Sequence, residues 1–234
     1  MNILEIIQPI KLLKGSHPDT AKTGHGCAMN VIAYLNGESV ITDNSECVCF
    51  VVRPLLIFIN DHMTDSERPI LLPFLLRAMG SRTDNKEEIL RRLWLVKELA
   101  GEMALIAAKY VVEHIKYIDN YTMQYAVEYA VESDAKSVAV DVSVEAARYA
   151  SMSAKYASMG INYSAMYSAE SAVMSARYAV KAIAMNASDR YIGTRGLGFS
   201  NLILKFLDDA LPKQEIVTEE IHNRALRLVE LASA

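Results

Sequence analysis

The sequence predicts an all-α protein, a multi-helix bundle that carries a long Ala-, Tyr- and Met-rich helical segment. Three observations predict it. Apolar residues recur at spacings of three and four through most of the chain, the period of one face of a helix. Tyrosines step by four at Tyr117, Tyr121, Tyr125 and Tyr129, and by seven at Tyr149, Tyr156 and Tyr163, so each set stays on one helical stripe. The one alternating stretch, Val138, Val140, Val142 and Val144, has no second clear strand to pair with, and helix is favoured there too.

After a short apolar run, KGSHPDTAKTGHG reads as turn material. Ala28, Val31, Ile32 and Leu35 share one face of a short helix that Asn36-Gly37 stops. The next helix is expected over Cys47 to His62, interrupted or started at Pro54. In MTDSERPILLPFLLRAMG, Asp65 or Ser66 suits a cap, Pro69 a first turn and Gly80 an end. Thr83 and Asp84 are cap candidates for a longer helix running to about residue 115, with Glu87 and Glu88 four residues before Arg91 and Arg92. Gly101 marks a kink or a close helix contact. GTRGLG, at residues 193–198, reads as a turn before two closing helices, FSNLILKFLDDAL and EIVTEEIHNRALRLVELA. The composition shift suggests a helical region over 1–118 and an Ala/Tyr-rich one over 119–234, or one continuous domain.

Eleven of the twelve tyrosines lie between Tyr110 and Tyr191. Met152, Met159 and Met166 follow Tyr149, Tyr156 and Tyr163 at a constant offset, among alanines and serines. Two readings stand. In the more economical one the tyrosines interlock over small residues in a core, with their hydroxyls at the rim. In the other, Tyr117, Tyr121, Tyr125, Tyr149, Met152, Tyr156, Met159, Tyr163 and Tyr167 form an interface, because Tyr and Met offer large, adaptable contact area. A two-stranded coiled coil fits less well, since the seam lacks Leu and Ile and the heptad slips.

A net charge of −4 gives no general attraction to nucleic acid or to an anionic membrane. The opening MNILEIIQPIKLLKG lacks the long apolar stretch and cleavage site of a signal peptide. CVCFVVRPLLIFIND is broken by Arg53 and Pro54, short of a membrane span. Three cysteines cannot all pair within one chain, so a reduced, cytoplasmic setting is expected.

Chemistry has few candidates. His25, Cys27, Cys47 and Cys49 are the residues with metal-ligand character, joined by His17 and Asp43 nearby. C-x-C is tighter than the usual C-x-x-C, and Cys49 sits in an apolar run, so buried thiols are preferred to a metal site. A Cys27 nucleophile with His17 or His25 needs an orienting group such as Glu38 or Asp43. GTRGLG has neither a preceding strand nor a following lysine, which sets it apart from a phosphate loop. No catalytic residue and no cofactor is assigned.

The stretch GSHPDTAKTGHGCAMNVIAYLNGESVITDNSECVCFVV, then IND, ERPILLPFLLRAMGSR and the helix around Trp94, resembles a family of small uncharacterised proteins from bacteria and their phages. Its members carry G-x-H, C-x-M-E-x-x-A-Y-x-x-G-E, S-D-H-P-x-C, N-D and L-x-P-x-x-x-R-x-x-G-T, and many continue into an alanine-rich helical tail. The matching positions are Gly15, His17, Cys27, Met29, Ala33, Tyr34, Gly37, Glu38, Asp43, Cys47, Asn60 and Asp61. Asn30 stands where the family has an acid, Asn44 where it has histidine, and Ser45 where it has proline. The resemblance implies a phage or prophage setting more than a reaction. The expectation is therefore a non-enzymatic protein-binding protein that inhibits a host defence complex, an anti-CRISPR-type inhibitor for instance. Its partner would be that host complex or a second copy of itself, with no membrane or primary nucleic-acid ligand. The alternatives are a metal-binding or Cys/His-dependent enzyme centred on His17, His25, Cys27, Glu38, Asp43 and Cys47, and a structural homo-oligomer.

Overall fold

The computed structural model describes residues 2–122, 192–213 and 217–234, with Glu145, Arg148, Tyr149, Met152, Tyr167, Glu170, Ser171 and Met174 between them. The protein is all-α: the described residues form helices and no strand, with one isolated bridge between Leu12 and Gly26. The helices are α1 (Ile3–Ile7), α2 (Thr20–Thr23), α3 (Ala28–Asn36), α4 (Arg53–His62), α5 (Leu72–Ala78), α6 (Lys86–Thr122), α7 (Ile192–Ala210) and α8 (Glu219–Ser233). The alternating valines at 138–144 lie outside the described residues.

Two compact units divide the chain. One comprises Met1–Ile89 with Leu204–Ala234, the other Leu90–Ile203. The division does not fall near residue 118. The C-terminal residues belong to the same unit as the N-terminal ones, because α8 packs on α1, α2 and α3.

Local sequence explains most boundaries in the first unit. α1 begins on a capping box in which the Asn2 side chain accepts from Leu4 and Glu5 reaches back to the Asn2 backbone. Its Ile3, Ile6 and Ile7 are buried on one face. α3 ends at Gly37, whose φ of +77° gives the left-handed cap that Asn36-Gly37 predicts. α4 starts only at Arg53, later than Cys47. Pro54 belongs in a first turn because it has no N–H to give. Upstream, the Cys49 N–H donates to Ser81 Oγ at 3.0 Å, a distant partner that holds 47–52 in turns.

MTDSERPILLPFLLRAMG makes a 3-10 turn at Arg68–Leu71 before α5, not one helix. Its two prolines, Pro69 and Pro73, each sit in the first turn of their own element. Neither Asp65 nor Ser66 caps it. The Asp65 carboxylate pairs with Arg68 instead. For α6 the cap is Asn85, not Thr83 or Asp84: Asn85 Oδ1 accepts from Glu87 N at 2.9 Å and Glu88 N at 3.3 Å. GTRGLG is not a turn. α7 runs through it from Ile192, at a propensity cost of roughly 1 kcal/mol per glycine that nineteen residues of continuous helix absorb. α8 begins at Glu219, where Thr218 Oγ1 accepts from Ile221 N at 3.3 Å.

Arginines join helices that are far apart in sequence. Arg77 on α5 donates to the carbonyl of Asp208 (2.8 Å) in the last turn of α7, and to those of Leu211 (3.3 Å) and Pro212 (2.7 Å) just beyond it. It also meets the Asp208 carboxylate at 2.7 Å. Arg224 on α8 donates to the Leu35 carbonyl at 3.0 Å, doing the same for α3. In the second unit, Leu93, Val96, Leu99, Ala100 and Met103 of α6 are buried. No helix among the described residues is long and apolar enough to cross a membrane.

Candidate functional site

Gly15, Cys27, Met29, Asp43, Asn60 and Asp61, half of the N-terminal motif positions, line a cleft of about 30 Å³ in the first unit, enough for a water or two. Cys27 stands at the start of α3, Asn60 and Asp61 come from α4, Gly15 and Ser16 from the first loop, and Asp43 from the loop after α3. The polar groups are mostly spent on the backbone. Asn60 Oδ1 accepts from Ala28 N at 3.2 Å, and its Nδ2 donates to the Leu13 carbonyl at 2.9 Å. Asp61 accepts from Gly15 N at 2.8 Å. Buried Arg68 donates to the Asn60 carbonyl at 2.9 Å and the Leu12 carbonyl at 3.3 Å. The loop from Leu12 to Ser16 is thus stitched to α4 by side chains that a buried, irregular backbone requires.

Cys27 caps α3 through its sulfur, which accepts from Asn30 N at 3.4 Å, and its thiol donates to Asn30 Oδ1 at 3.0 Å. The same amide oxygen accepts from His17 N at 2.6 Å. A helix N-terminus ordinarily favours a thiolate. Here burial dominates, with the Asp43 and Asp61 charges adding to it, and the thiol is pushed up to about 11. Its proton goes to an amide, a non-basic acceptor, while the His17 ring Nε2 lies 2.8 Å from the Lys14 carbonyl. Cys27 is a protonated packing and capping group at neutral pH.

The other metal-type residues are each engaged separately. His25 Nδ1 accepts from Lys11 N at 3.2 Å. Cys47 lies 3.1 Å from the Ser45 hydroxyl, which donates to the Glu38 carboxylate. Cys49 is buried. Among the described residues no three His, Cys, Asp or Glu side chains come together to hold an ion.

A different surface stands out in the second unit. On α6, Leu90, Trp94 and Leu105 are 50%, 59% and 72% exposed. They share an arc of about 60°, opposite the buried Val96, Leu99 and Met103. Gly101 falls on the same arc, and a Cβ added there meets nothing within 4 Å. The aromatic and sulfur residues expected at an interface are spread more widely. Tyr117 and Tyr121 lie in the last turns of α6. Tyr149 and Met152 are half-buried, with the Arg148 guanidinium 5.9 Å over the Tyr149 ring, and Tyr167 is 44% exposed. Tyr125, Tyr156, Met159 and Tyr163 lie outside the described residues.

The exposed α6 residues belong to no motif and to no tyrosine repeat. Apolar residues fall on every side of the α6 wheel, so the sequence does not single out Leu90, Trp94 and Leu105. No family model, curated protein or solved structure matches the chain.

Proposed function

We propose that this chain is a non-enzymatic protein-binding protein whose contact surface includes the outer face of α6. The observation that carries the reading is the exposure of Trp94, Leu90 and Leu105 on one helix face. Leu90 and Trp94 lie one helical turn apart, exposed apolar neighbours of the kind that mark interaction sites, and tryptophan is prominent among residues that dominate interface energetics. Tyr167, exposed elsewhere in the same unit, is of the same character. The N-terminal cleft supports the reading from the other side. Its thiol is protonated, and the Asn60 amide and Asp61 carboxylate are occupied by backbone groups. The resemblance to proteins of bacteria and their phages supplies the class of target, a host defence complex that the chain would inhibit.

The test is affinity purification of the tagged chain from a bacterial host, parent against Trp94→Ala/Leu105→Ala, with melting curves to check that both fold. Loss of a reproducible partner, by at least about tenfold, is the expected result. A partner retained in full by the double variant would rule out the α6 face as the contact surface.

A further inference from the structure

We infer that the outer face of α6 pairs with the same face of a second copy of this chain, the two helices crossing about a two-fold axis between positions 97 and 98. The inference rests on the protein-binding reading and names one partner for that surface.

The argument is self-complementarity. A two-fold contact brings each residue against the one equally far from the axis on the other copy. Trp94 and Gly101 are equally far from the point between residues 97 and 98, and so are Leu90 and Leu105. All four lie on one arc of α6. One pair therefore matches the bulkiest exposed side chain, Trp94 at 59% exposure, with Gly101, above which an added Cβ would meet only open space. The other pair matches two exposed leucines. A protruding indole and a bare backbone notch at symmetric positions are what a helix needs to pack closely on its own twin. The contact runs from Leu90 to Leu105, about 22 Å along the axis at 1.5 Å per residue.

The experiment is analytical ultracentrifugation of the full chain over a wide concentration range, beside Trp94→Ala and Gly101→Gln. Space above Gly101 lets Gln fit the folded monomer, which melting curves check. The parent is expected to double in mass, and the single Trp emission to shift to the blue over the same concentrations. Both variants should weaken association by at least about tenfold. A register test accompanies it. Leu90→Cys and Leu105→Cys chains, treated with a short bismaleimide, should link when mixed, well beyond either alone or the parent.

A parent that stays monomeric overturns the inference, as does association untouched by either variant. If the parent is monomeric while another protein is still captured through Trp94, self-pairing fails and the protein-binding reading survives. If Trp94 matters to neither, both fail.

Discussion

Asn30 shows how one buried side chain sets the chemistry of its neighbour. Its amide oxygen takes the Cys27 thiol proton and the His17 N–H together. No part of it is basic, and burial outweighs the backbone N–H groups of Asn30 and Met29, which favour the thiolate. Two consequences follow for Cys27. Iodoacetamide at neutral pH should modify half-buried Cys47 well before Cys27, read by peptide mass spectrometry; equal rates would contradict the burial argument. The second concerns pH. The folded thiol is raised from 9.0 to about 11, so the folded state holds its proton where the unfolded chain has lost it. The Cys27 contribution is complete below pH 9 and is lost as the pH rises toward 11. Chemical denaturation should show a steeper alkaline decline for the parent than for Cys27→Ala across that window. At this scale the structure brings Cys27, Asp43, Asn60 and Asp61 to one cleft, which His25, Cys47 and Cys49 do not line. What each donates and accepts was not legible, because the partners are backbone groups of Leu13, Gly15 and Ala28, and no motif names a backbone group.

Helix ends were readable where the signal was local, and misread where it was not. Gly37 stops α3 and Pro54 opens α4 as their own geometry requires. The glycines of GTRGLG suggested a turn because glycine weakens a helix, yet α7 continues through them. Its C-terminal end instead depends on α5. Arg77, 11% exposed at its side chain, meets three carbonyls and the carboxylate of Asp208. Arg77→Met should lower stability by about 2 kcal/mol through orphaned carbonyls, measured by urea denaturation; a change near zero would mean water replaces the guanidinium freely. Hydrogen bonds from Arg77, then Lys213, hold the Asp208 carboxyl below its ordinary 3.8. That contribution is present above pH 3.8 and fades as acid protonates the carboxylate. Asp208→Asn should therefore differ from the parent at pH 6 more than at pH 2.

Across the whole molecule, residues far apart in sequence decide which unit a segment joins. Gly24 has a φ of +72°, and a Cβ there would run into the α8 backbone at Leu228 and Ala232. Gly24→Ala combines left-handed strain with that collision and should cost about 3 kcal/mol or more, seen as a fall in melting temperature. A variant as stable as the parent would mean that α8 can retreat from α2 without penalty. The composition shift placed a boundary near residue 118 because the change from mixed to Ala/Tyr-rich sequence is abrupt there. Arg224, Leu228 and Ala232 carry no such mark, and they place α8 in the unit that begins at residue 1. The sequence by itself determined the all-α class, the stop at Gly37 and the start at Pro54, since these follow from periodicity and from the backbone limits of single residues. Only the tertiary structure decided that α8 belongs with α1, that Arg77 and Arg224 finish distant helices, and that Trp94, Leu90 and Leu105 stay uncovered. Each of these turns on which surfaces meet, and contact between segments separated by up to two hundred residues leaves no period or motif in either one.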